Sequence, residues 1–332
     1  MPPSGRDPCL QRRPSPVAVV IDTDPGLDDA LAIFLACAAR ELELAGIVTV
    51  AGNIGLARVT ENALRLAAHA GRGDIPVIAG AAAPLGREPL EAADVHGEDG
   101  LGGVALPASE NRALGGSAID FLEKELMRRP EHSLRILALG PLTNLASLIT
   151  SRPAAAARLA AIIAMGGAVR ARGNVTPFAE FNIAADPQAA DIVLRSGIPV
   201  TLVPLDVTRQ VTADRGWSAK LLEQGGKVAR TSAELIEAYL RNIAWKRRAA
   251  GLAQPPDAIP SFPLHDPCVV LHAIAPALFE AERLPISIVK DGSGHDGQTV
   301  IDEAHGAMVD VLTGARREQA LALTHELLCS LP

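Results

Sequence analysis

The order of apolar runs and helix-period segments predicts an α/β fold, with a mainly parallel sheet covered by helices on both faces. Three observations carry this. β-Branched apolar runs recur along the chain, and most are followed by a segment with helical periodicity. Strands alternating with helices need right-handed crossovers, which produce parallel pairing and two covered faces. Polar clusters follow several of the strands, at the end of a parallel sheet where ligands bind.

In chain order, Val17–Ile21 is the first strand, Pro25-Gly26 turns the chain, and a helix runs from about Asp28 to Ala39. Ala45–Val50 is the second strand, followed by a helix near Ala57–Ala70. Pro76–Ala79 is a short strand, and Leu134–Leu139 is another that leads to a helix after Pro141. Ala161–Met165 and Val200–Val203 complete the buried strands, with a helix near Pro187–Arg195 between them. Residues 80–110 are rich in Gly, Ala, Pro and acid, and residues 251–267 carry five prolines, so both read as long loops. A helix around Thr231–Arg248 is expected to pack as a separate flap near the site, and an apolar helix starts near Cys268. With no repeat and no linker, residues 17–332 read as one domain behind a tail, residues 1–16, expected to be disordered and without the apolar stretch of a signal peptide.

A chain of 332 residues that is 48% hydrophobic and 21% charged is expected to be a soluble globular protein. Its net charge of −7 argues against nucleic acid or an anionic membrane as partner. Aromatics at 3% leave too few platforms for stacking single-stranded bases. No apolar run has the length to cross a bilayer. Cys9, Cys37, Cys268 and Cys329 are scattered, without zinc spacing or a disulfide framework, which suits a reducing cytoplasm. Cys37 and Cys268 are expected to be small core residues.

The densest chemical signal is Asp22, Asp24, Asp28 and Asp29, four acids within eight residues at the end of the first strand. Capping a helix needs one or two acids. Four charges at one turn repel unless a cation sits among them, and a hard divalent ion takes oxygen ligands. Leu264-His265-Asp266-Pro267 is the second cluster. There Asp266 either caps the next helix, with Pro267 at its first position, or binds a metal, and the two are compatible because a capping carboxylate can still give a metal its other oxygen. His265 is either a proton donor or an ordinary loop histidine. In the stretch 173–182, Asn174, Glu180 and Asn182 suit vicinal hydroxyls. Taken singly, Gly140–Asn144 is a helix start and Val50–Asn53 a turn. The glycines after His96 lack the strand and helix context of a nucleotide-binding loop.

Together and in this order, the clusters resemble those of the nucleoside hydrolases, the purine and pyrimidine N-ribohydrolases. The Asp-x-Asp-Pro-Gly-x-Asp-Asp signature is the most specific, and the likeness runs from about Val17 to the C-terminus. The resemblance implies an open α/β fold with a central, mostly parallel sheet, one Ca²⁺ at the base of the site, a ribonucleoside substrate, and a homodimer or homotetramer. It implies Ca²⁺ ligation by Asp24, Asp29, the backbone carbonyl of Thr143, and Asp266, with Asp24 also the general base for a metal-bound water. Asp28 would accept from a ribose hydroxyl, Asp22 would support the site, and Asn53 would place water and ribose. Met165, Asn174, Glu180 and Asn182 would line the ribose pocket. His96 and His265 would lie toward the leaving base, with His265 a candidate for protonating it, as in the inosine-uridine-preferring type. The implied reaction is hydrolysis of the N-glycosidic bond to ribose and free base, through an oxocarbenium-like sugar.

Two other readings compete. A haloacid-dehalogenase-like phosphatase would use Asp22 as nucleophile, but Pro-Gly-x-Asp-Asp is not its pattern and no lysine is suitably placed. A catalytically inactive nucleoside-binding protein would not need every acid and His265. Base contacts are sought between Tyr239, Trp245 and Phe262, with a broad or pyrimidine and inosine range expected.

Overall fold

The computed structural model describes residues 15–251 and 260–332. Residues 1–14 of the expected tail and residues 252–259 of the Pro-rich loop lie outside the described residues.

Eleven strands are described: β1 (Val17–Thr23), β2 (Leu42–Thr49), β3 (Val77–Ala79), β4 (Leu134–Ala138), β5 (Ala161–Met165), β6 (Val200–Val203), β7 (Thr212–Asp214), β8 (Ser261–Pro263), β9 (Phe279–Ile288), β10 (Thr299–Ile301) and β11 (Ala307–Ala315). Nine form one sheet in the order β10-β9-β11-β6-β5-β4-β1-β2-β3, and β7 pairs with β8 apart from it. Pairing is parallel from β3 across to β11, whereas β9 and β10 join antiparallel at one edge. The mostly parallel sheet is as expected, and the antiparallel edge is an addition to it.

The order also locates the ligand crevice. From β1 the chain steps outward to β2 and β3, then returns to β4 on the other side of β1 and runs outward again. The reversal between β1 and β4 opens a crevice beyond their carboxyl ends, where such sheets bind ligands. The acids of 22–29 leave β1 at that point, and Gly140–Asn144 leaves β4.

β1 reads as an unbroken apolar run because both of its faces are covered. Val19 and Ile21 pack with Phe34 and Leu31 on one side, while Ala18 and Val20 pack with Ile136 and Leu145 on the other. Parallel strands buried on both faces lose the apolar–polar alternation of half-exposed ones. Cys268 is buried and Cys37 half-buried against the same core.

Two expectations need correction. The helix expected around Thr231–Arg248 spans Lys227–Ala249 and is not a separate flap. Val228, Leu235, Ile236 and Leu240 bury its inner face in the main core. Tyr239 meets Phe262 of β8 edge-to-face, with ring centroids 4.8 Å apart. The helix expected near Cys268 begins earlier, at His265, with Leu264 at its N-cap. Asp266 therefore sits in the first turn and does not cap it. Pro267 is tolerated there because first-turn N–H groups have no intrahelical acceptor to lose. Inside 80–110 a short helix, Ala93–His96, also forms.

Candidate active site

Asp22 and Asp24 end the first strand, and Gly26 starts the helix Leu27–Ala38, which carries Asp28 and Asp29 in its first turn. Asp29 is part of the cap: its Oδ2 accepts from the Gly26 N–H (2.9 Å) and from Asn53 Nδ2 (3.2 Å), and Thr23 Oγ1 donates to Oδ1. The capping reading is thus correct for one acid and leaves three unexplained.

Asp24 is 1% exposed. The Asn53 N–H donates to its Oδ2 (2.7 Å), while Asn53 Nδ2 donates to its backbone oxygen (3.0 Å). Gly52 and Gly140 press on the carboxylate from two sides: a Cβ on either would overlap a different oxygen of Asp24, and one on Gly52 would also touch Pro141. Glycine at both positions lets two backbone segments hold this group without a clash. Gly52→Ala is therefore expected to displace the Asp24 carboxylate and to reduce kcat by at least about tenfold while fold and thermal midpoint change little. Steady-state kinetics alongside circular dichroism would check this, and an unchanged kcat would remove the steric argument.

Three carboxylates converge, and two of them, Asp28 and Asp266, line the cavity. Oxygens of Asp28, Asp29 and Asp266 all lie within 4.8 Å of one another. Burial holds Asp24 and Asp266 well above the usual carboxylate range, and the neighbouring acids add to it. Asp28 is pushed up to about 8 by burial and then by the charge of Asp29. An all-oxygen donor set in which neighbouring charge pushes Asp28 and Asp266 up fits a hard divalent cation, which would relieve the repulsion. The spatial group contains Asp28 where the resemblance implied Asp24. The Thr143 hydroxyl donates to Asp186 (2.7 Å), and its carbonyl accepts from Ser147 Oγ (2.8 Å). Asp22 stands behind the floor. Asn144 Nδ2 donates to its Oδ1 (2.9 Å), its Oδ2 has no partner among the described residues, and burial pushes it up to about 7.

Above the floor lies a cavity of about 690 Å³, within the range for small-molecule sites. Asp28, Asn53, His96, Met165, Asn174, Glu180, Asn182, His265 and Asp266 all line it, so the structure gathers these sequence-selected residues into one pocket. Glu180 caps the helix Phe181–Ala185: its oxygens accept the N–H groups of Asn182, Ile183 and Gly167, and burial pushes it up to about 7. Asn182 Nδ2 donates to the carbonyls of Leu139 (2.6 Å) and Met165 (3.2 Å), which turns its amide oxygen free for a ligand hydroxyl. Asn174 Oδ1 accepts from the Phe181 N–H (2.9 Å), leaving its NH₂ as the available group.

The two histidines are held differently. His96 Nδ1 accepts the Leu27 N–H at 3.0 Å. His265 Nδ1 meets Thr208 Oγ1 at 2.7 Å. Burial pulls His96 down to about 4 and His265 down to about 3, with Arg209 and His96 adding to the second shift. Sequence reasoning missed Thr208 and Arg209, because both follow a strand with no cluster to mark them. Arg209 lines the cavity and donates to the carbonyls of Arg172 (2.6 Å) and Gly173 (3.3 Å), beside Asn174. Tyr239, Ile243, Lys246 and Arg247, all on the helix Lys227–Ala249, complete that side of the cavity.

Comparison with known proteins adds to this geometry. Residues 19–322 match the family model described as inosine-uridine preferring nucleoside hydrolase. A pyrimidine-specific ribonucleoside hydrolase, RihA, of Photobacterium profundum is 39% identical over 287 residues, covering 86% of this chain and 88% of that protein. A plant nucleoside hydrolase, the PpNRh1 enzyme, superposes with a TM-score of 0.86 at 34% identity, over 95% of this chain and 99% of that one. A purine-preferring ribonucleoside hydrolase from Gardnerella vaginalis gives a TM-score of 0.85 at 28% identity, over 94% and 98% of the two chains.

Proposed function

The chain belongs to the inosine-uridine preferring nucleoside hydrolase family and so hydrolyses the N-glycosidic bond of ribonucleosides, and from this premise we propose a Ca²⁺-dependent mechanism with Asp24 as general base and His265 at the leaving base. The observation that carries the proposal is the set of three carboxylates within 4.8 Å beneath a cavity lined by Asn53, Glu180, Asn182 and both histidines.

Asp29, Asp266 and Asp24, with the Thr143 carbonyl, would hold the ion. When bound, such an ion would supply positive charge that polarises the attacking water and the sugar. Asp28 accepts a hydrogen bond from a ribose hydroxyl. Asn182 and Asn174 offer an amide oxygen and an NH₂ group to the sugar, and Glu180 accepts beside them. Together they hold C1′ over the floor, which removes much of the entropic barrier to attack. Asp24, gripped by the Asn53 N–H and flanked by Gly52 and Gly140, takes the proton of the attacking water. His265 and His96 meet the base as negative charge develops on it. Base and acid then stand on opposite faces of the sugar, the arrangement of an inverting glycosidase. Asp22 supports the floor through Asn144.

The proposal includes one catalytic domain over residues 17–332, a homodimer or homotetramer, and a cytoplasmic setting suggested by the scattered cysteines. No helix among the described residues is long and apolar enough to cross a membrane. A phosphatase using Asp22 conflicts with family membership. For the base, relatives point both ways, one named pyrimidine-specific and one purine-preferring. We propose a broad or pyrimidine and inosine range. A panel of purine and pyrimidine nucleosides, assayed for ribose release with and without a chelator, tests the whole reading. Ribose release that stops on chelation and returns with Ca²⁺ is the expected result. Ribose binding without release from any nucleoside would instead identify an inactive binder.

A further inference from the structure

We infer that Thr208 is a positioning residue that locks His265 in the tautomer carrying its hydrogen on Nε2, so that His265 meets the leaving base as a fixed N–H donor. This deepens the reading in which His265 faces the base and rests on it.

Thr208 is 0% exposed. Its Oγ1 has one hydrogen-bond partner among the described residues, His265 Nδ1 at 2.7 Å. A hydroxyl carries one hydrogen, and leaving it unpaired in a buried site costs the full desolvation of the donor. If Nδ1 donated to Thr208, the hydroxyl hydrogen would have no acceptor. Thr208 therefore donates, Nδ1 accepts, and the ring hydrogen sits on Nε2, the atom left for the cavity that His265 lines. His265 thus meets negative charge on the departing base with a hydrogen bond from Nε2.

His96 provides an independent comparison. A backbone N–H can only donate, so the Leu27 contact at 3.0 Å makes His96 Nδ1 an acceptor and puts its hydrogen on Nε2 as well. The cavity then presents two N–H donors and no imidazole acceptor toward the base. A ligand that uses both must offer two acceptor atoms, as bases with ring carbonyls or unprotonated ring nitrogens do.

The test combines ¹⁵N NMR of the histidine rings with leaving-group kinetics on the full chain. In the wild type, both His265 and His96 should give the Nε2–H pattern. Thr208→Val should mix the His265 tautomers and leave His96 unchanged, whereas Thr208→Ser should keep the wild-type pattern. Thr208→Val should lower kcat for nucleosides on the order of tenfold. Its turnover of p-nitrophenyl riboside, whose leaving group needs no donor, should stay within about twofold of wild type. A merely structural role would reduce both substrates alike. An Nδ1–H signal for His265 in the wild type, or equal losses on both substrates, overturns the inference. Absence of ribose release by the wild type would instead overturn the reading of the reaction, while the NMR result would stand by itself.

Discussion

Asp24→Asn is expected to lose about 10²–10⁴ in kcat, with the loss persisting at saturating Ca²⁺. The substitution keeps the volume of the side chain and can keep an oxygen against the Asn53 N–H, which donates at 2.7 Å. Packing between Gly52 and Gly140 should therefore survive, and what is removed is a charge and a proton acceptor. Loss of a positioned base falls mainly on kcat, because water, unlike the nucleoside, contributes nothing to KM. Steady-state kinetics across a Ca²⁺ titration makes the measurement. Near-normal turnover at high Ca²⁺ would take the base role from Asp24, and Asp28 would be the next group to examine.

The fold was legible where the chain is buried on both sides. The runs at Val17, Ala161 and Val200 are short, β-branched and bounded by turn residues, and each became a parallel strand. The antiparallel edge was harder to see. β9 is largely exposed along Phe279–Leu284 and includes Glu280, Glu282 and Arg283, so it lacks the continuous apolar signal of its neighbours. The helix Lys227–Ala249 misled in the opposite direction. Its place before the Pro-rich loop suggested a detached flap, yet Val228, Leu235 and Ile236 bury one of its faces in the core.

The site residues were readable for a related reason. Acids clustered after a strand are costly without a ligand, so Asp22–Asp29 stood out from the sequence alone. Thr208 and Arg209 did not, because a threonine and an arginine after a strand are ordinary in isolation. The meaning of Thr208 comes from His265, 57 positions away along the chain, and only the packed fold brings them together.

The division of labour among the floor acids gives the second large effect. Asp266→Asn is expected to weaken Ca²⁺ binding by at least roughly 10–100-fold, the loss seen even for groups that only support a metal ligand. Activity should fall with it and recover in part as Ca²⁺ is raised, which separates this variant from Asp24→Asn. Asp28→Asn decides between two pictures of the floor. Spatially, Asp28 closes a group with Asp29 and Asp266 whose oxygens lie within 4.8 Å. In the proposed mechanism it accepts from a ribose hydroxyl, and its substitution should then raise KM for nucleosides more than it weakens the ion. Calorimetric titration of Ca²⁺ into each variant, beside KM for one nucleoside, distinguishes them. If Asp28→Asn weakens Ca²⁺ as much as Asp266→Asn does, Asp28 is a ligand. Asp24 then needs no direct bond to the ion, and its position between two glycines would serve proton transfer alone.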